Sequence, residues 1–149
     1  MVEVSNLTRS KVPSLPLTEV ADRICGRRFS VSIAFVGRTR AKRLNLEHRK
    51  MSYVPNVLTF PLSNTSGEMI ICPEVAKRQY KRFRLSYQDF LTLLVIHGCL
   101  HLRGIEHGDT MEQLEEQYLK EFTHEKNRTN GDRRRHTASE GRHHRIRTP

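Results

Sequence analysis

The chain lacks several features that would point to a membrane or secreted protein. None of its apolar runs approaches the ~20 residues that a membrane-spanning helix requires. The N-terminal MVEVSNLTRSKVP has no apolar stretch between a basic start and a cleavage site, so we expect no secretory signal and a cytoplasmic location. Three scattered cysteines, Cys25, Cys72 and Cys99, favour reduced thiols over a disulfide framework.

Acidic residues are also scarce, and the excess of positive charge is uneven. Of a formal net charge of +10, half falls within residues 124–149, which contain eight Lys or Arg and three Asp or Glu. This segment has no aromatic residue and almost nothing apolar, so it cannot offset the entropy of ordering. We therefore predict a single domain over residues 1–123 and a flexible basic tail over residues 124–149. The tail is either solvated without a partner or an arm that adds non-specific affinity for nucleic acid.

Hydrophobic periodicity divides the domain into short strands followed mostly by helices. FSVSIAFV alternates as a half-buried strand does, VEVSNL is a second strand, and LTEVADRIC between them has helical spacing up to Gly26. TRAKRLNLEH is a short basic helix, NVLTF and EMIIC are strands separated by a loop with Pro61 and Ser63, and a further helix begins at Pro73. The fold class is therefore α+β, with four strands and about five helices.

A helix that is apolar on nearly every side, YQDFLTLLVIHGCLHLR, follows a capping box of Ser86 and Asp89 and belongs in the centre of the domain. His97 and His101 are four residues apart, which places them on one face, about 40° apart around the axis and ~6 Å apart along it. Gly104 stands at a plausible C′ position, where a left-handed turn can bring His107 back toward that face. After this turn, Thr110 and Gln113 open a last amphipathic helix.

Three imidazoles that converge from a helix and its following turn are suited to one divalent metal ion that keeps a coordination position for water. A single histidine is more often a packing or surface residue. Of the four histidines outside the tail, however, three fall within the eleven residues HGCLHLRGIEH. The spacing of His97, His101 and His107 therefore predicts a metal site on the central helix and the turn after it.

Zinc peptidases of the pattern H-E-x-x-H-x-x-G-x-x-H carry a catalytic glutamate where this chain has Gly98. Glycine cannot serve as the general base, which argues against a metallopeptidase. Three neutral imidazoles leave the ion its full charge, which favours an anionic substrate such as a phosphodiester. Gly98 itself either allows close helix packing or makes room for substrate.

HGCLHLRGIEH closely resembles the signature H-G-x-L-H-L-x-G-x-D-H of the YbeY endoribonucleases, which cleave single-stranded RNA in ribosomal RNA maturation and ribosome quality control. LNLEHR, PNVLTFP and GEMIICPEVAKRQ agree with further family segments in the same order, so the resemblance covers about residues 29–122. The chain departs from the pattern at four positions: His48 in place of an aromatic residue, Thr59 in place of serine, and Glu68 and Glu106 in place of aspartate.

The resemblance implies a small mixed sheet packed with helices, a metal commonly assigned as zinc on His97, His101 and His107, and catalytic roles for Arg49 and His97. It also implies single-stranded ribosomal RNA as substrate, at the 3′ end of the small-subunit precursor, with the small ribosomal subunit and its assembly factors as partners. Arg49 lies in EHRKMSYVPN, which we interpret as a loop in which a guanidinium could hold a phosphate. The alternative is a non-catalytic, zinc-containing ribosome-assembly factor that binds RNA through its basic surface.

Overall fold

The computed structural model describes residues 1–127, with side chains up to residue 123. The elements follow the chain in this order: β1 Val2–Asn6, α1 Leu17–Cys25, β2 Ser30–Phe35, α2 Arg38–Arg49, β3 Val57–Ser63, β4 Ser66–Ile71, α3 Pro73–Gln79, a 3₁₀ turn Tyr80–Phe83, α4 Tyr87–Leu102 and α5 Asp109–Asn127. The predicted tail, residues 124–149, lies outside the described residues apart from the last turn of α5.

The four strands form one mixed sheet in the order β1-β2-β4-β3. β1 and β4 both run parallel to β2, whereas β3 and β4 form an antiparallel hairpin. β2 buries Val31, Ile33 and Phe35 and exposes Ser30 and Ser32, which is the alternation that its sequence predicted. Residues 1–127 contain four strands and five α-helices, so the predicted α+β class with a four-stranded sheet and about five helices is confirmed.

The β3–β4 connection is shorter than the sequence indicated. Pro61 and Ser63 were expected in a loop, but they belong to β3, and an irregularity of register between them precedes the turn to Ser66. That expectation was wrong because β3 is an edge strand. A proline can stay in an edge strand, where its missing N–H does not interrupt the ladder between two strands.

Helix α4 lies at the centre of the domain, where it packs against the sheet, α1 and α5. Twelve of its sixteen residues are buried. Ser86 begins the helix as predicted, since its Oγ accepts a hydrogen bond of 3.1 Å from the backbone N–H of Asp89. None of the helices among residues 1–127 is long and apolar enough to cross a membrane.

The sheet has helices on both faces. Met69 of β4 contacts α4, whereas its neighbour Ile70 packs with Ala41 of α2 and Val75 of α3. Because successive side chains of a strand point to opposite faces, α4 and α2 cover opposite sides of the sheet. Cys25, Cys72 and Cys99 are buried free thiols, in agreement with the sequence.

Candidate metal centre

His97 is held in one orientation at the centre of the domain. It lies on the third turn of α4 with an exposed fraction of 1%. Its Nδ1 is 2.6 Å from Oε1 of Glu115 on α5. A carboxylate accepts hydrogen bonds, so Nδ1 carries the proton and Nε2 is left with a lone pair for a metal. Such a carboxylate fixes the tautomer and raises the basicity of a histidine ligand.

His101 and His107 complete a cluster with His97, as the spacing predicted. Nε2 of His101 lies 3.0 Å from Nε2 of His97, and the ligand atoms of the three residues all lie within 4.8 Å of one another. Around a tetrahedral zinc with bonds of about 2.0–2.1 Å, neighbouring nitrogens are about 3.3 Å apart. The three rings are therefore close enough to hold one ion, and imidazole nitrogens suit zinc.

The turn after α4 brings His107 to the cluster. The backbone N–H of Ile105 donates to the carbonyl of Leu100 at 3.0 Å, and that of Gly104 donates to the carbonyl of His101 at 2.9 Å. These two bonds form a Schellman motif with Gly104 at C′, where its φ is +85°. The prediction of a left-handed turn at this glycine is confirmed.

The environment of the cluster keeps His101 neutral. Burial, followed by the neighbouring His97 and His107, lowers the pKa of His101 to about 4, and the charge of Arg49 adds to the effect. A protonated imidazole cannot bind a metal, whereas His101 already has a free lone pair at neutral pH. The three rings also differ in access, from the buried His97 to the exposed His107. The cluster therefore opens to solvent on the side of His107.

Gly98 allows close packing between α4 and the sheet. A Cβ at this position would lie 2.5 Å from Cε and 2.8 Å from Sδ of Met69, which is fully buried in β4. Of the two explanations left open by the sequence, close helix packing is the one that the contacts support. A glutamate at position 98 would be directed into β4, on the side of the helix that packs against the sheet.

Arg49 is the last residue of α2 and is exposed, so the interpretation of its segment EHRKMSYVPN as a loop was wrong for residues 47–49 and is confirmed for residues 50–56. Helix α2 ends after Arg49, because Lys50 takes the left-handed conformation with φ 59°. The fully buried Asn45 then donates from Nδ2 to the carbonyl of Tyr53 at 2.9 Å, which ties the following loop to the helix. Arg49 is near enough to the cluster for its charge to affect His101.

Two polar residues that support this site were not identified from the sequence. Asn45 stands in a motif but had no assigned role, and Glu115 was overlooked within an acidic amphipathic helix. A signal for Glu115 exists, since it lies four residues after Met111 and three before Tyr118, on the apolar stripe of α5. A carboxylate on a buried face needs a partner, and His97 is that partner.

Comparisons with known proteins agree on one family. A sequence model described as Endoribonuclease YbeY matches residues 6–123. A protein of that name from Bdellovibrio bacteriovorus is 38% identical over 82 residues, which cover 54% of this chain and 55% of the relative. One from Thermotoga neapolitana is 30% identical over 127 residues, 80% of this chain and 85% of the relative.

A third relative of the same name, from Polynucleobacter asymbioticus, is 35% identical over 62% of this chain and 65% of its own length. The chain thus covers between about half and two thirds of the length of these two curated relatives from Bdellovibrio and Polynucleobacter. A solution structure from Thermotoga maritima shares the fold, with a TM-score of 0.61 and 25% identity, over 87% of this chain and 93% of that one.

Proposed function

The chain belongs to the endoribonuclease YbeY family, and on that premise we propose that it is a metal-dependent endoribonuclease acting on single-stranded RNA. The observation that carries the proposal is the cluster of His97, His101 and His107, whose ligand atoms lie within 4.8 Å of one another. The charge of the exposed Arg49 also contributes, as the smallest of its causes, to the lowered pKa of His101. A cation held by neutral ligands next to a guanidinium suits a substrate with a phosphodiester anion.

His97, His101 and His107 would hold one divalent ion, for which the donor set favours zinc. When bound, such an ion supplies a Lewis acid for a phosphate oxygen and lowers the pKa of its water to about 7. The chain contributes the orientation of the ligands. Glu115 keeps the proton of His97 on Nδ1, and the Schellman turn at Gly104 positions His107.

Arg49 would bind the scissile phosphate and offset the negative charge that develops during cleavage. A guanidinium can donate two parallel hydrogen bonds to phosphate oxygens, which orients the group as well as neutralising it. Arg49 is the last residue of α2, and the loop that follows is tied to this helix by the hydrogen bond from Asn45 to the Tyr53 carbonyl. Arg49 and His97 are therefore the residues to which we assign catalysis.

The substrate that we propose is ribosomal RNA, cleaved near the 3′ end of the small-subunit precursor during maturation and quality control in the cytoplasm. Membership of the family supports this assignment, and we propose the small ribosomal subunit and its assembly factors as partners. The attacking group is either water or the RNA 2′-hydroxyl. A single 2′-deoxy substitution at the cleavage site separates the two, since it abolishes only the second reaction.

The test compares cleavage of a single-stranded precursor RNA by the wild-type chain, His97→Ala, Arg49→Ala and Arg40→Ala, with metal content read by elemental analysis. Arg40 is an exposed arginine of the same helix and is the matched control for loss of one positive charge. We expect His97→Ala to lose both metal and cleavage, and Arg49→Ala to lose cleavage but keep metal. Equal cleavage by all four proteins would overturn the proposal, and retained RNA binding without any metal-linked cleavage would favour a non-catalytic assembly factor.

A further inference from the structure

Two aromatic rings meet where the last turn of α2 contacts the edge strand β3. The ring centroids of His48, in the last turn of α2, and Phe60, on β3, are 5.0 Å apart with an interplanar angle of 59°. β3 and β4 pair so that Thr59 lies beside Met69, whose side chain contacts α4. Phe60, the next residue, therefore faces α2, and we call His48 and Phe60 the ring pair.

The two rings differ in exposure. Phe60 is half-buried, whereas His48 is exposed. Phe60 contacts the imidazole and limits its movement, while His48 as a whole remains exposed. A flat side chain that is already held in place loses little conformational entropy when a second ring stacks on it.

One member of the ring pair is the chain neighbour of the residue that we propose binds phosphate. His48 directly precedes Arg49, whose charge acts on His101. Lys50 follows at once in the left-handed conformation. The same short stretch exposes further apolar side chains, those of Leu46, Met51 and Tyr53. Cations interleaved with exposed rings and apolar groups are typical of surfaces that bind single-stranded nucleic acid.

We propose that the ring pair is a stacking platform for one unpaired base of the RNA, next to the phosphate that Arg49 holds. This inference rests on the proposed function and adds the origin of single-strand selectivity. A base in a duplex is stacked on its neighbours and cannot lie against His48, whereas an unpaired base can. Stacking recognises the flat face that every base has. The platform therefore distinguishes single-stranded from double-stranded RNA, and not one base sequence from another.

The experiment measures binding of two fluorescent decamers to the metal-loaded full chain by anisotropy. One decamer consists of ten 2′-O-methyladenosine nucleotides joined by nuclease-resistant phosphorothioates. The other has the same linkages, but its sugars carry no base. For His48→Ala we expect about tenfold weaker binding of the base-bearing decamer, about 1.4 kcal/mol, because one stacked base loses its contact with the ring. Binding of the abasic decamer is expected to remain unchanged, and His48→Tyr, which restores a flat ring, is expected to bind both as the wild type does.

Arg49→Ala serves as the comparison, since loss of a phosphate contact weakens binding of both decamers. Thermal unfolding of each variant checks that the exposed His48 has been replaced without loss of the fold. If His48→Ala weakens the binding of both decamers equally, or of neither, the proposal of a stacking platform is overturned while the nuclease proposal stands. A wild-type chain that binds neither decamer overturns both.

Discussion

The contact between Glu115 and His97 leads to a quantitative prediction about metal affinity. The carboxylate lies 2.6 Å from Nδ1 of a histidine that is only 1% exposed. Glu115→Ala leaves the Nδ1–H without its partner in a buried position, which costs about 1–3 kcal/mol. It also frees the ring to turn or to change tautomer. Loss of such a partner typically lowers metal affinity about 10–100-fold, which is about 1.4–2.7 kcal/mol.

The assay is competition for zinc between the protein and a chromophoric chelator at pH 7. We expect Glu115→Ala to bind zinc about 100-fold more weakly, and Glu115→Gln about tenfold more weakly, because its amide oxygen can still accept the hydrogen bond but carries no charge. Glu116→Gln is the matched control. It makes the same charge change one residue away, where the carboxylate lies 3.6 Å from Lys120 in a solvent-exposed pair. Zinc affinity in a folded Glu115→Ala protein equal to that of the wild type would refute the role given to this carboxylate.

Three further predictions concern the turn, the protonation and the loop of the site. Gly104 has φ +85° and open space around the position of a Cβ, so Gly104→Ala is expected to destabilise the fold by about 1–2 kcal/mol in urea unfolding. Gly104→Asn is expected to cost less stability, because asparagine tolerates the left-handed region. Equal stability of the wild type and both variants would contradict a left-handed turn at this position. The folded pKa of His101, about 4, lies below its ordinary value of 6.5, so the unfolded chain binds more protons between these values. The metal-free protein should therefore lose stability as pH falls through this range, and a melting temperature that does not fall would argue against a neutral His101. Asn45→Ala removes the hydrogen bond to the Tyr53 carbonyl at a cost of about 1 kcal/mol, and we expect reduced RNA cleavage with unchanged metal content; unchanged cleavage would show that the loop does not position Arg49.

The histidine cluster was predictable from the sequence because its geometry is local. A spacing of four on one helix, followed by a glycine turn, determines where His97, His101 and His107 meet, and no distant residue is required. The N-cap at Ser86 is equally local. These features depend on hydrogen bonds and side-chain directions within a few residues.

The features that the sequence did not reveal depend on contacts between distant segments. Glu115 reaches His97 only because α5 packs on α4, and its sequence pattern also suits an exposed acidic helix. Pro61 belongs to β3 only because this strand lies at the edge of the sheet, and its neighbours in the sequence do not reveal that position. Helix α2 ends at Arg49, one residue later than its sequence pattern predicts. It ends there because Lys50, a residue without a strong helix-ending preference, adopts a positive φ.

The central claim is that His97, His101 and His107 bind one metal ion together. Anomalous diffraction at the zinc absorption edge, on crystals of the zinc-loaded chain, tests it directly. The account predicts one peak about 2.0–2.1 Å from a ring nitrogen of each of the three histidines, with a further position not occupied by protein. A peak bound elsewhere on the chain, or three histidine rings without a shared peak, would contradict it.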